Sequence, residues 1–144
     1  GIVTFELPAG LDLGPAVLRL SAGGVAASPV VIVIDEPPPV IQAVTDLNGM
    51  AVDAARPAAP GDTLLIKVSG IADEDVLADP SRVVVLIGGV EHTAVTITAL
   101  KALPGVYEVR VVLGEIEPAA AAPVTVGVGC RVSLPVSIPV KAAG

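Results

Sequence analysis

The sequence predicts an all-β protein, built as an antiparallel β-sandwich with a smaller group of strands in front of it. Three observations lead to this prediction. Val, Ile and Thr occur in short runs, and Gly, Pro, Asn and Asp separate these runs at intervals of about 8–12 residues. The 15 Gly and 14 Pro among 144 residues favour many turns over long helices. Within several runs, apolar and polar residues alternate, as expected of half-buried strands.

The N-terminal part of the chain is predicted to contain three strands, at residues 2–7, 15–21 and 30–34. The remaining predicted strands are residues 40–45, 63–69, 82–87, 93–98, 106–113, 124–128 and 132–140. Alternation is clearest at residues 106–113, where Tyr107, Val109 and Val111 are expected to share one face of their strand. We expect Phe5 and Tyr107, the two aromatic residues, to pack in the core.

Glycine and proline mark the predicted turns. Asn48-Gly49 suits a primed turn, Pro60-Gly61-Asp62 a turn that opens a strand, and Gly88-Gly89 a hairpin that joins residues 83–87 to residues 93–98. A helical turn is the alternative at residues 119–122, since Pro118 could open it, although Pro123 would end it at once.

The segment Asp35-Glu36-Pro37-Pro38-Pro39 marks a predicted boundary. Consecutive prolines form a stiff, extended spacer, so residues 36–39 are interpreted as a linker. Residues 40–144 after it match the size of one immunoglobulin-like sandwich of about seven strands. Residues 1–35 before it are too few for a complete sandwich of this kind.

The first segment resembles the end of the second. Residues 14–20 and 28–32 parallel residues 122–128 and 134–138, at an offset of 106 to 108 residues. A period of this length predicts that residues 1–35 are the C-terminal third of one unit and that a complete unit follows.

Three strands in so short a segment bury too little surface to be stable alone. We therefore expect them to pair with copies of this chain or with adjoining repeats, as in β-strand addition. A head-to-tail contact of this type repeats without closing and builds a filament. The candidate assembly residues are Val3, Phe5, Leu7, Val17, Leu18, Leu20, Val30, Ile32 and Ile34.

Several motifs also suggest a family. They are residues 3–8 (VTFELP) with Gly14-Pro15, residues 60–62 (PGD), 85–90 (VLIGGV), 103–109 (LPGVYEV) and 135–138 (PVSI). In their order and spacing the chain resembles the uncharacterised acidobacterial C-terminal domain family, which is related to IPT/TIG immunoglobulin-like folds. The second copy departs from the first at residues 113–116 (LGEI). The resemblance implies an immunoglobulin-like fold and a secreted or cell-surface bacterial protein, and it transfers no catalytic residue.

Composition excludes several partners. With 8 Lys and Arg against 15 Asp and Glu, the net charge of −7 repels nucleic acid and anionic lipid surfaces. Two aromatic residues cannot build a stacking platform for single-stranded nucleic acid. The apolar runs are far shorter than the roughly 20 residues that a membrane-spanning helix needs.

The residues that could support chemistry are few. The single His92 and the single Cys130 fall short of a zinc site. We expect Cys130 to be a small buried hydrophobe in a strand and His92 to be a solvated residue at a strand start. Asp73, Asp75 and Asp79 are weak calcium candidates, because calcium prefers oxygen ligands, but their spacing is not that of an EF-hand and a solvated acidic loop is the commoner case.

These observations predict a non-enzymatic extracellular structural module without a cofactor. Its expected function is head-to-tail self-association through strand complementation. The alternative is an immunoglobulin-like module of a larger secreted protein that binds a glycan or a protein through its loops.

Overall fold

The computed structural model of the chain describes every residue except Ala9, Ala72 and Asp73. The chain divides into two compact units, unit 1 (Gly1–Glu36) and unit 2 (Pro37–Gly144). The regular elements of both units are nearly all antiparallel strands, which confirms the predicted all-β class. The described residues include one α-helix of five residues and one 3₁₀ helix of three residues. Among the described residues, no helix is long and apolar enough to cross a membrane.

Unit 1 contains a single β-ribbon. Its strands are β1 (Gly14–Leu18), β2 (Ser21–Ala22), β3 (Val25–Ala26) and β4 (Val30–Ile34). Strand β1 pairs with β4 and β2 pairs with β3, both antiparallel. Gly23 and Gly24 form the tip, where positive φ angles of 57° and 80° suit glycine. We call residues 14–34 the N-terminal ribbon.

Unit 2 is a two-layer sandwich. Its strands are β5 (Val40–Thr45), β6 (Thr63–Ser69), β7 (Val83–Ile87), β8 (Val90–Thr93), β9 (Thr96–Ala99), β10 (Val106–Val112), β11 (Ala119–Val128), β12 (Arg131–Val132) and β13 (Val136–Val140). Helix α1 (Glu74–Ala78) and a 3₁₀ turn (Pro80–Arg82) connect β6 to β7. One sheet has the order β5-β6-β10-β9, and the other has the order β12-β11-β7-β8, with β13 also paired to β11.

The core lies between the two sheets of unit 2 and is almost wholly aliphatic. Alternate residues of the central strands point inward, for example Leu64, Ile66 and Val68 of β6, each at most 1% exposed. Val85 of β7 and Val126 of β11 approach from the opposite sheet and are fully buried. Each such side chain contributes about 1.5–3 kcal/mol when it leaves water, so the alternation seen in the sequence supplies the main favourable contribution to folding of the sandwich.

The proline segment is held on unit 2. Arg131, the first residue of β12, donates hydrogen bonds from Nη1 to the carbonyl oxygens of Pro37 (3.2 Å) and Gly70 (3.0 Å). Gly70 has φ +81°, and a Cβ atom built on it would lie 3.3 Å from Cα of Pro39. A glycine is therefore required where the loop after β6 passes the prolines.

The strand predicted at residues 2–7 is wrong, because these residues form no strand. A strand needs a neighbour to receive its backbone hydrogen bonds. The similar residues 109–113 of unit 2 lie in or just after β10, which is paired on both sides, with β6 and β9. In the described part of unit 1, the only strands are those of the N-terminal ribbon, and they pair with one another.

The strand predicted at residues 93–98 is also wrong. Gly88 and Gly89 both have positive φ, so the tight turn places Val90 opposite Ile87 and β8 begins at once. The chain then crosses between the sheets. The N–H of Ala94 donates to the Val83 carbonyl in one sheet, whereas the N–H of Val95 donates to the Arg110 carbonyl in the other.

Three smaller predictions need correction. The helical alternative at residues 119–122 is wrong, because β11 begins at Ala119 and pairs there with β13. The single strand predicted at residues 132–140 is divided into β12 and β13. The turn at Asn48-Gly49 is not primed, since only Gly49 has a positive φ; the side chain of Asp46 stabilises it by accepting hydrogen bonds from the N–H groups of Asn48 and Met50.

Candidate functional site

The N-terminal ribbon has two free edges and apolar residues on both faces. Within the described part of unit 1, its sheet has two strands, so β1 and β4 each have one edge without a partner strand. Val17, Val31 and Val33 are 56%, 68% and 74% exposed. An isolated pair of strands is at best marginally stable in water, and an unpaired edge is a template for another strand.

The register assigns the side chains of the ribbon to its two faces. Leu18 lies opposite Val30 and Ala16 opposite Ile32, so these four share the first face, whereas Val17 lies opposite Val31 on the second. Of the predicted assembly residues, Leu18, Val30, Ile32 and Ile34 are on the first face and Val17 is on the second. Leu20 follows β1, where its carbonyl accepts the N–H of Ala27 at 2.9 Å.

The other predicted assembly residues belong to the segment before the ribbon. Val3, Phe5, Leu18 and Leu20 line one hollow of about 510 Å³ within unit 1. Phe5 is 54% exposed, so its predicted place in the core is wrong. Leu7 is 49% exposed. Tyr107, by contrast, is partly buried and packs against the core of unit 2, as predicted.

The candidate assembly residues predicted from the sequence do not include Val31 and Val33. The run Val30–Ile34 consists of five β-branched apolar residues, so alternation could not separate its two faces. Only the pairing with β1 places Val31 and Val33 together on the more exposed face.

A second ribbon in unit 2 has the same pairing pattern; we call residues 122–140 the C-terminal ribbon. Adding 106 to each number converts the pair Leu18–Val30 into Val124–Val136. The same shift converts Ala22–Val25, at the tip, into Val128–Arg131. Both ribbons also have the same hydrogen bond between these two pairs. In the C-terminal ribbon the N–H of Ser133 donates to the Val126 carbonyl at 2.9 Å, and in the N-terminal ribbon the N–H of Ala27 donates to the Leu20 carbonyl at 2.9 Å.

The two ribbons differ in what covers their first faces. Val124, Val126 and Ile138 of the C-terminal ribbon are at most 3% exposed, because the opposite sheet packs on them. The corresponding residues of the N-terminal ribbon are Leu18, Leu20 and Ile32, which are half-buried or exposed. The first face of the N-terminal ribbon thus leaves partly open to solvent the apolar pattern that unit 2 uses to build its core.

The ribbons also differ at one edge. Strand β11 pairs with β7 on the edge away from β13, where Val124 lies opposite Ile87 and Val126 opposite Val85. The corresponding edge of β1 is the one that has no partner strand in the described part of unit 1. Its N–H and C=O groups are available for a strand that arrives from outside unit 1.

The calcium candidates are partly engaged by other residues. Asp73 lies outside the described residues. Asp79 caps the 3₁₀ turn, and the hydrogen bond from the Ser81 hydroxyl at 2.6 Å is the main reason why the pKa of Asp79 lies below its usual value. Asp75 lies 3.8 Å from Nη1 of Arg82. Among the described residues, no three His, Cys, Asp or Glu side chains form a group that could hold a metal ion.

His92 and Cys130 lie in environments opposite to those predicted. Cys130 is exposed in the turn after β11, because the pairing of Val128 with Arg131 puts it at the tip of the ribbon. His92 is 6% exposed within β8. Its Nδ1 lies 2.9 Å from the Val90 carbonyl, and its Nε2 accepts the N–H of Gly114 at 2.9 Å. Both ring nitrogens of His92 are therefore engaged by backbone groups of the fold.

Comparison of the chain with models of known protein families, with curated proteins and with solved structures finds no match. The resemblance to the acidobacterial family stays a prediction. The N-terminal ribbon remains the candidate functional site, and what it offers is apolar surface and open strand edges.

Proposed function

We propose that this chain is a non-enzymatic structural module of a secreted or cell-surface bacterial assembly, and that it associates head to tail through the N-terminal ribbon. The main observation in favour is the face of Leu18, Leu20 and Ile32, which has the pattern of a core face but is not covered like one. The open edge of β1 adds a directional contact, because strand pairing fixes register as well as affinity.

The size of the ribbon suits this role. Full burial of the five large apolar side chains of the first face contributes at most about 8–15 kcal/mol, because three of them, Leu18, Ile32 and Ile34, are already half-buried. Association costs about 4–15 kcal/mol in lost translation and rotation. The two ranges overlap, so most of the ribbon has to be covered for stable association, and the loss of two central side chains should prevent it.

The strand order supports an immunoglobulin-like assignment for unit 2. In such domains, strands A, B, E and D form one sheet, and strands G, F and C form the other. The order β5-β6-β10-β9 corresponds to A-B-E-D, and β13-β11-β7 corresponds to G-F-C, with β8 as an additional edge strand. Domains of this class commonly serve as modules of larger surface proteins, which agrees with the proposed role.

Analytical ultracentrifugation over a range of protein concentrations, together with electron microscopy, tests the proposal. We expect the native chain to form species that grow with concentration and appear as filaments. The double variant Leu18→Asp, Ile32→Asp should remain a monomer, because two buried carboxylates would be unpaired. Leu134→Asp is the control, since Leu134 is 84% exposed in unit 2 and lies outside the N-terminal ribbon.

Two results would contradict the proposal. A native chain that stays monomeric at every concentration rules out self-association. A dimer that does not grow indicates a closed, symmetric contact instead of a head-to-tail one.

A further inference from the structure

We infer that unit 1 is the C-terminal part of a second sandwich, and that the partner it binds is a set of strands equivalent to β5–β9 of unit 2, carried by a neighbouring repeat. This inference rests on the proposed structural role of unit 1 and specifies the partner, its direction and its register. It follows from the constant shift of 106 residues that relates the pairing of the two ribbons.

The partner strand at the open edge of β1 follows from this shift. In unit 2 the same edge of β11 receives β7 in antiparallel orientation. Leu18 then lies opposite the partner's equivalent of Ile87, and Leu20 lies opposite its equivalent of Val85. The partner strand therefore has apolar residues at alternate positions, and a shift by one residue would turn them away from the core.

The first face of the ribbon indicates what covers it. In unit 2, the residues equivalent to Leu18 and Ile32 belong to one core cluster with Leu64, Ile66 and Val68 of β6. A single added strand would satisfy the edge of β1 but would leave this face in water. The partner therefore includes the opposite sheet as well as the strand at the edge.

The segment before the ribbon gains a role in the same arrangement. Val3, Phe5 and Leu7 correspond to Val109, Val111 and Leu113, which are at most 1% exposed. In unit 2 these residues lie in or just after β10, between β6 and β9. We expect residues 3–7 to become a strand when equivalents of β6 and β9 are present.

Phe5 adds a requirement for the partner. Its equivalent, Val111, lies opposite Leu64 of β6. A phenylalanine ring in place of valine needs more volume, and forcing extra volume into a packed core is destabilising. The natural partner should therefore have a smaller residue than leucine at this position.

A fused chain tests the inference. Residues 37–106 are placed directly before Gly1, because the shift of 106 makes Gly1 the equivalent of residue 107. Amide hydrogen exchange by NMR is compared between the native and the fused chain. We expect exchange at residues 3–7 and 18–22 to slow by about a thousandfold, as for amides that open only on global unfolding. Changing the added copy's Leu64 to Ala should slow amide exchange at these residues further, because the smaller side chain makes room for Phe5.

The matched control is a fused chain in which the added copy's Val85 and Ile87 are both changed to Asp. Its unit 1 amides should exchange as in the native chain, while the unchanged unit 2 shows that the molecule is folded. The inference is overturned if unit 1 remains unprotected in the unmodified fused chain while unit 2 is protected. The inference is also overturned if unit 1 is protected equally in the control and in the unmodified fused chain. Aggregation of the fused chain, whether the added copy has Leu or Ala at position 64, overturns it as well.

The results separate the inference from the proposed function. If the native chain is monomeric and the fused chain has a protected unit 1, the partner is identified correctly but self-association is wrong. If the native chain self-associates and unit 1 of the fused chain stays unprotected, self-association holds and the partner is wrong.

Discussion

Replacing Ser133 by alanine should destabilise unit 2 through one buried hydrogen bond. Ser133 lies between β12 and β13 and is 5% exposed. Its Oγ accepts the N–H of Val126 at 2.9 Å, at a point where the ladder between β11 and β13 is interrupted. Val126 is fully buried, so water cannot replace the lost acceptor without opening the core.

The expected magnitude follows from this geometry. A buried N–H that loses its partner costs about 1–3 kcal/mol. The Ser133→Ala variant should therefore unfold with a free energy lower by about 1–3 kcal/mol, and its melting temperature should fall by about 4–8 °C per kcal/mol. Urea unfolding followed by circular dichroism measures the difference, and hydrogen exchange at the Val126 amide shows whether it arises at this bond.

Ser137→Ala is the matched control. Ser137 is an exposed serine of β13, and its replacement should change stability by less than about 0.5 kcal/mol. The assigned role of this hydrogen bond is wrong if Ser133→Ala and Ser137→Ala unfold at the same urea concentration, or if the Val126 amide exchanges as slowly in Ser133→Ala as in the native chain.

Three further predictions concern single residues. His92 should carry a ring proton on Nδ1 and none on Nε2, because its Nε2 accepts a hydrogen bond; ¹⁵N chemical shifts of the ring measure this, and a proton on Nε2 would contradict it. Gly70→Ala should cost more than the roughly 1–2 kcal/mol of a left-handed alanine, since its Cβ would also press on Pro39. Gly105→Ala is the control in urea unfolding, because φ is +79° there and nothing lies within 4 Å; equal losses would disprove the contact. Because the pKa of Asp79 is lowered on folding, its contribution to stability is present above pH 3.8 and is lost as the pH falls through the lowered pKa. In unfolding curves measured from pH 5 to about pH 2, Asp79→Asn should lose less stability on acidification than the native chain. An unchanged pH dependence of stability would contradict this prediction.

Local patterns in the sequence predicted much of the sandwich. A two-residue period acts between near neighbours and indicated β6 and β10, whereas β7 was indicated by a short apolar run that ends at the glycine pair Gly88-Gly89. Short apolar runs bounded by glycine and proline likewise identified strands in the N-terminal ribbon.

Whether an apolar segment becomes a strand, and which of its faces is covered, depends on residues far away in sequence. Residues 2–7 have the pattern of a strand but form none, because a ladder requires partners. His92 is buried and Cys130 exposed because their positions follow from strand pairing and from where a turn falls. Sequence alone therefore determined which segments can form strands, and tertiary pairing decided which of them do, with which partners, in which register, and how far each face of the N-terminal ribbon is covered.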